Sequence, residues 1–321
     1  MIHSLQFLRF IAALMVVFVH TRSKLKFLDG PELLWPNLLG RAGVDIFFVI
    51  SGFIMLYTYN ARPISPIHFF GKRFFRLWPL YALATLFAGF MAYKFPIYYS
   101  GWAHIPHILK SMFFIPDLRP KGGGIAPIIA PGWTLNLEMA FYFLFAIGLF
   151  FKRHALVSGG LLVGFFGLNY LLKEQGVVFA AYATDGGVIL EFLLGYLLYQ
   201  SYIRKWRIPT WLAFIFIIGG FAAMPSVYSL GPQSRLLTLG IPAFFICLGF
   251  LQLDPWFARL KPLTLKAIDF MGRITFALYI LHNFVVQSLF RYFQHLDRTY
   301  DAWFDHAYVY MAVVFVLAIA L

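Results

Sequence analysis

Long, almost unbroken apolar runs recur along this chain, separated by short links that hold Gly, Pro and basic residues. The runs exceed the alternating segments of about ten residues that an outer-membrane barrel would show, so they read as α-helices. At about twenty apolar residues per crossing, roughly ten spans are expected. They fall near Leu5–His20, Val44–Tyr59, Leu77–Tyr93, Trp133–Phe151, Ala155–Leu172, Val188–Ile203, Ile208–Met224, Leu236–Leu253, Ile274–Phe293 and Ala307–Leu321. The expected architecture is all-α: a polytopic membrane protein, one domain over residues 1–321, with about ten transmembrane helices around a central cavity. The first run lacks a basic leader and a small-residue cleavage site, so it is expected to stay in place as a helix. No soluble domain is expected after the last run, and no internal repeat suggests an inverted-repeat transporter. The least hydrophobic stretch, Pro96–Pro131, contains Lys121-Gly122-Gly123-Gly124 and reads as an external lid or as a passive connector, with a short helix near His107–Phe114.

Polar residues inside such runs change the picture. The first run, LRFIAALMVVFVH, places Arg9 near one end and His20 at the other, eleven residues apart. At about 100° and 1.5 Å per residue the two share one helix face, roughly 16 Å from each other. Ionisable groups at this depth are costly and are expected to face a bundle or a cavity. The competing reading has Arg9 reaching to the interface and His20 closing the helix end.

Further ionisable positions follow in order. Asp45 opens the second run, GVDIFFVISGF, and an antiparallel first pair brings it level with His20. A carboxylate there fits a His–Asp pair, or a charge meeting the helix dipole. In FFGKRFFRLWPLY, Lys72, Arg73 and Arg76 cluster at the mouth of the third run, Arg73 and Arg76 on one face. Such a cluster suits the phosphates of a nucleotide-bearing cofactor as well as lipid head groups. Glu138 lies little more than one turn inside APGWTLNLEMAFYF, in the same half of the bilayer as His20 and Asp45, so it must be paired, protonated or wet. Glu191 opens the sixth run and fits a helix-start charge. His282, in ITFALYILHNFVV, fits either a hydrogen-bonded core histidine or a site residue.

Composition agrees with this reading. Of 321 residues 61% are hydrophobic and only 12% charged, far from soluble proportions. The net charge of +13 sits largely in short links, as membrane topology requires, and is not read as nucleic-acid binding. The links with Lys72, Arg73 and Arg76, with Lys152 and Arg153, with Arg204, Lys205 and Arg207, and with Arg259, Lys261, Lys266 and Arg273 alternate to one side. That side is expected to be cytoplasmic, with both termini. Arg22, Lys24, Lys26, Arg41, Lys110 and Lys121 weaken the bias. The single cysteine, Cys247, excludes an internal disulfide and reads as a small core residue. No metal-ligand spacing, GxGxxG, P-loop or GxSxG appears, so metal, redox, kinase and serine-hydrolase chemistry find no support.

With these motifs in order, the chain resembles the acyltransferase 3 family of bacterial membrane O-acyltransferases, particularly exopolysaccharide-modifying members. The likeness runs through Arg9 and His20, GVDIFFVISGF (Gly43 to Phe53), KRFFRLWPLY (Lys72 to Tyr81), WTLNLEMAFY (Trp133 to Tyr142) and YILHNF (Tyr279 to Phe284). The resemblance implies transfer of an acyl group, commonly acetyl, from cytoplasmic acyl-CoA to a sugar hydroxyl of a cell-envelope or exported glycan or its lipid-linked precursor. Acyl-CoA is then a donor substrate, with no permanently bound cofactor, and the partners are the glycan or lipid-linked oligosaccharide and membrane lipids. It further implies His20 as catalytic histidine with Arg9 as its partner, Lys72, Arg73 and Arg76 on the donor, and Glu138 in the site. Trp133, Asn136, Tyr279 and His282, which lie in the same motifs, are taken as substrate-binding. Thr134 stands where the family usually has Ser, and Lys72 replaces a frequent Arg. The fused extracellular esterase-like domain of some relatives is expected to be absent.

The mechanism expected on this basis has His20 as general base on the acceptor hydroxyl, with Asp45 or Glu138 orienting the imidazole. Arg9, too far from His20 to serve as oxyanion donor, takes a structural or donor-guiding role. Direct attack on the thioester and an acyl-enzyme are both open. The competing classes are a proton-coupled transporter or flippase of a glycolipid, for which the same buried ionisable groups would make a path, and a structural subunit of an envelope-synthesis complex.

Overall fold

The computed structural model describes residues 2–25, 36–95, 104–119, 124–172, 187–228, 235–299 and 309–314, with single residues 175 and 316. Ten α-helices follow along the described chain: α1 (His3–Leu25), α2 (Pro36–Ala61), α3 (Pro66–Lys94), α4 (Ile105–Met112), α5 (Gly132–Gly148), α6 (His154–Leu172), α7 (Glu191–Ile203), α8 (Thr210–Tyr228), α9 (Ile241–Phe257) and α10 (Pro262–Thr299). A 3-10 turn, Val188–Leu190, leads into α7, and a π-turn, Leu236–Gly240, leads into α9. The only extended pairing among the described residues is an isolated bridge between Leu118 and Ile125.

The all-α expectation holds among the described residues. Among the described residues five helical stretches are long and apolar enough to cross a membrane: His3–Lys24, Gly40–Ala61, Pro66–Lys94, His154–Leu172 and Leu236–Phe257. Val188–Ile203 and Thr210–Met224 are shorter apolar helices. The expected last span, Ala307–Leu321, lies mostly outside the described residues, of which 309–314 are helical. Lys26 and Lys121 also lie outside them. Leu83, Leu86, Phe87 and Phe90 of α3 are exposed, as are Leu156, Val163, Leu168 and Leu171 of α6. Apolar faces of that extent suit lipid rather than water.

Helix ends differ from the hydropathy reading because caps and packing, not apolarity, set them. Helix α3 starts at a capped Ser65-Pro66, where Ser65 Oγ accepts the His68 amide hydrogen at 3.4 Å, and it runs through Pro79. The basic cluster therefore lies within α3, in the turns before its apolar run. Helix α2 begins at Pro36, so Asp45 sits more than two turns inside it and is not a helix-start charge. Helix α10 is 38 residues long and starts well before the apolar core of its segment.

Two compact units are present. The first contains Met1–Phe47, Ile208–Ser229 and Phe245–Leu321. In it Phe10, Ala13 and Val17 of α1 pack on Leu278, Val286 and Phe290 of α10, with Tyr310 alongside. Asp254 accepts the Ser4 amide hydrogen at 2.9 Å and so satisfies a free donor of the first turn of α1. Gly43 fits against the Ala12 carbonyl and Val16, so α1 and the start of α2 cross closely. Small residues serve this purpose where water cannot drive helices together.

The second unit contains Phe48–Arg207 and Leu230–Phe244. Phe141 of α5 stacks on Phe192 of α7 at 4.0 Å between centroids, and Phe48 packs on Phe192 at 4.8 Å. Gly52 of α2 and Gly195 of α7 are mutually bare. A Cβ on Gly195 would meet the Val49 carbonyl, the Phe53 nitrogen at 2.6 Å and Gly52 Cα at 2.7 Å. In the polar loop, Asp117 receives Lys110 Nζ at 2.9 Å and His107 Nδ1 at 3.2 Å. Burial opposes ionisation of Asp117, but the hydrogen bonds from Lys110 and His107 outweigh it and hold the carboxyl below its usual 3.8.

Three outcomes are expected. Gly195→Ala forces backbone apart and should cost about 1–3 kcal/mol in denaturant titration of the protein in bicelles. Gly164→Ala, with nothing near its Cβ position, should be neutral or slightly stabilising. The Asp117 clamp, having a depressed folded pKa, should be fully present above 3.8 and weaken as pH falls through the lower folded value. Hydrogen exchange of α4 and the following loop, read against Asp117→Asn, should show that loss only in the parent.

Candidate functional site

The expected site residues fall into two groups, one in each unit. In the first unit Arg9 and His20 stand on one unbroken helix, α1, as the spacing requires. Arg9 Nη1 donates to Gln6 Oε1 at 3.2 Å. The His20 ring is partly buried and meets His282 of α10 edge-on, with centroids 5.0 Å apart and planes at 86°. His282 is fully buried. Its Nδ1 lies 3.2 Å from the Leu278 carbonyl, which can only accept, so the hydrogen belongs on Nδ1 and the lone pair on Nε2. Nε2 has no hydrogen-bond partner in the protein. Tyr279 lies 6.1 Å from His282 and 5.8 Å from Phe47, ring to ring. Asp45 is wholly buried on α2. Cys247 is buried and free, as expected of a core residue.

In the second unit α5 is the organising helix. Oε1 of Glu138 accepts hydrogen bonds from Tyr142 one turn on and from Ser51 of α2, the latter at 3.3 Å. The Arg73 guanidinium lies over the rings of Tyr142 at 6.0 Å and Phe69 at 5.4 Å, and donates to Thr58 Oγ1 at 2.9 Å. Glu138 thus belongs to a network that ends on Arg73. A pocket of about 340 Å³ opens at that end, lined by Thr58, Tyr59, Arg62, Ile64, Phe69, Lys72 and Arg73. Arg76 is exposed and outside that lining.

On the opposite face of α5, at about 100° per residue, lie Trp133 and Asn136. The Arg235 guanidinium covers the Trp133 ring at 5.5 Å. Asn136 is 5% exposed, and neither polar atom of its amide has a hydrogen-bond partner. Glu191 is fully buried at the start of α7, against the bare backbone of Gly240 in the π-turn.

Sequence reasoning missed His282 as the neighbour of His20, and missed Ser51, Thr58, Arg62, Tyr142 and Arg235. Glu138 and Tyr142 are four apart, and Ser51 and Thr58 seven apart, so each pair shares a helix face that could have been read. The histidine pairing and Arg235 depend on tertiary packing and leave no local trace. Among the described residues no cluster of three or more metal-ligating side chains occurs.

The second unit thus holds a polar network ending on a basic pocket, and the first a histidine pair on apolar helices. Residues 2–321 match the acyltransferase domain of the acyltransferase 3 family. The chain is 34% identical over 256 residues to the exopolysaccharide production protein ExoZ of Rhizobium meliloti (strain 1021), covering 77% of each chain. It is 30% identical over 151 residues to acyltransferase MdmB of Streptomyces mycarofaciens, covering 45% of this chain and 38% of that protein. It is 25% identical over 319 residues to nodulation protein 10 of Rhizobium leguminosarum bv. viciae, covering 88% and 82%. No solved structure matches the chain. Matched by its domain over nearly its whole length, this membrane protein belongs to the acyltransferase 3 family.

Proposed function

We propose that the protein is a bacterial inner-membrane O-acyltransferase. It moves an acyl group, acetyl by default, from cytoplasmic acyl-CoA to a sugar hydroxyl of an envelope or exported polysaccharide or its lipid-linked precursor. The relative named for exopolysaccharide production supports the acceptor class. The observation that carries the chemistry is the edge-on pair of His20 and His282.

In this reading His20 takes the proton of the acceptor hydroxyl as its oxygen attacks the thioester carbonyl. The C–O bond forms, the C–S bond breaks, and the departing thiolate receives that proton from His20. His282, its Nδ1 hydrogen held by the Leu278 carbonyl, meets the His20 ring edge-on and packs it in place. Asp45, buried on α2, adds negative charge that favours the transient imidazolium. The phosphates of the donor's nucleotide end are taken by Lys72, Arg73 and Arg62, whose pocket also offers the rings of Tyr59 and Phe69. Glu138 and Tyr142 hold Arg73 in place, and Arg9 steadies α1 through Gln6. Both termini are cytoplasmic in this arrangement.

CoA release by the purified protein in nanodiscs, with acetyl-CoA and an envelope glycan, tests the proposal. His20→Ala should lower kcat by about 10²–10⁴ while the protein stays folded, since that is the usual worth of a general base. Near-normal release by His20→Ala would rule the mechanism out. On the donor side, Arg73→Gln should raise KM for acetyl-CoA roughly 10- to 100-fold, the worth of one charge-assisted hydrogen bond. The same substitution should hardly change KM for acetyl-pantetheine, which lacks the nucleotide phosphates; an equal rise with both donors would remove the pocket from the donor site.

A further inference from the structure

The reaction as proposed gives Gln6 no task beyond its bond to Arg9, yet this side chain is held from two sides. Its Oε1 accepts a hydrogen from Arg9 Nη1 at 3.2 Å. Its carboxamide also lies on the bare backbone of Gly272 in α10. A Cβ built on Gly272 would meet Gln6 Oε1, with Gln6 Cδ at 3.0 Å and Gln6 Cβ at 3.1 Å. Glycine at 272 is therefore a spatial requirement of the carboxamide. Even a methyl group would push it off the place from which it holds Arg9. The backbone that carries Gln6 is tied down as well. Asp254 of α9 accepts the Ser4 amide hydrogen at 2.9 Å, and His3 Nδ1 lies 3.1 Å from Asp269 Oδ1 of α10.

A guanidinium is planar and carries five N–H donors in a rigid fork. Fixing one of its nitrogens limits the plane that the others can take. Gln6 and Arg9 are three apart and neighbours on the helix surface, and Arg9 shares its face of α1 with His20. Helix α1 meets α10 on either side of Arg9, where Gln6 lies on Gly272 and where His20 lies beside His282. Arg9 is itself half-buried, so packing does not enclose it wholly. A neutral acceptor such as a carboxamide holds the guanidinium without cancelling its charge.

Resting on the acyl-transfer reading above, we propose that Gln6, seated on Gly272, is a positioning residue for Arg9 and sets the plane in which the guanidinium meets the acyl donor. Gln6 touches neither the donor nor the reacting atoms. Its effect on the donor passes through Arg9 alone, and Gly272 acts through Gln6.

Donor binding without turnover tests this. The protein in nanodiscs is titrated calorimetrically with acetonyl-CoA, a thioether that cannot give up an acyl group. Gln6→Leu, which keeps the bulk and removes the accepting oxygen, should weaken binding roughly five- to tenfold, the worth of about one hydrogen bond. Gly272→Ala should weaken it to a similar extent, because the carboxamide is displaced. Arg9→Ala should weaken it at least as much, and adding Gln6→Leu to Arg9→Ala should then change nothing further. A merely structural Gln6 would cost the same with and without Arg9. That result overturns the proposal, as does parent-like affinity in Gln6→Leu, in a folded Gly272→Ala or in Arg9→Ala. Should Gly272→Ala fail to fold, Gln6→Leu decides alone. CoA release from acetyl-CoA that requires His20, beside a Gln6→Leu variant of parent affinity, leaves acyl transfer standing and removes this role. Coupling of Gln6 to Arg9 in donor binding, without CoA release to any acceptor, does the reverse.

Discussion

In hydrocarbon a helix satisfies its own backbone, but a polar side chain on it has no water to turn to and must find its partner on a neighbouring element. The second unit is built around that constraint. Glu138 cannot sit unaided in an apolar run, and it does not: Ser51 of α2 and Tyr142 of its own helix both donate to it. Arg73 is no freer. Thr58 accepts from it, and the faces of Phe69 and Tyr142 take up part of its charge. Each member restricts the others, so the guanidinium arrives at the pocket already placed.

Such short side chains reach across helices only where the backbones come close. Gly52 and Gly195 give α2 and α7 that approach, and α2 is the helix that brings Ser51 and Thr58 to the network. In the first unit Gly43 does the same for α1, the helix that carries Arg9 and His20. The motif glycines thus let α2 lie close to α7 and to α1.

How much of this could be read from the chain follows from the range of the interactions involved. The eleven-residue spacing of Arg9 and His20 is a local property of one helix, and it survives into the structure. Hydropathy located the helices but misjudged their ends. Ser65-Pro66 and Pro36 start α3 and α2 before their apolar cores begin, which moved the basic cluster and Asp45 inside helices. The pairing of His20 with His282 and the seating of Arg235 on Trp133 join residues far apart in sequence. Neither residue type nor spacing announces a contact of that kind; only the packing of α1 on α10, and of the π-turn near α5, creates it.

The network also bears on what a carboxylate in this position is for. An arginine brought into apolar surroundings without a counter-charge pays a desolvation cost that no single hydroxyl returns. Tyr142 lies between Glu138 and Arg73, bonded to the first and covered by the second, so the carboxylate's charge is felt by the guanidinium through a ring that excludes water from both. The two imidazoles of the first unit are arranged differently. His282 has its Nδ1 hydrogen committed to a carbonyl and its Nε2 uncommitted, and His20 meets it at ring distance. The proposed proton transfer uses the histidine pair, while Glu138 is tied through Tyr142 to the network that holds Arg73.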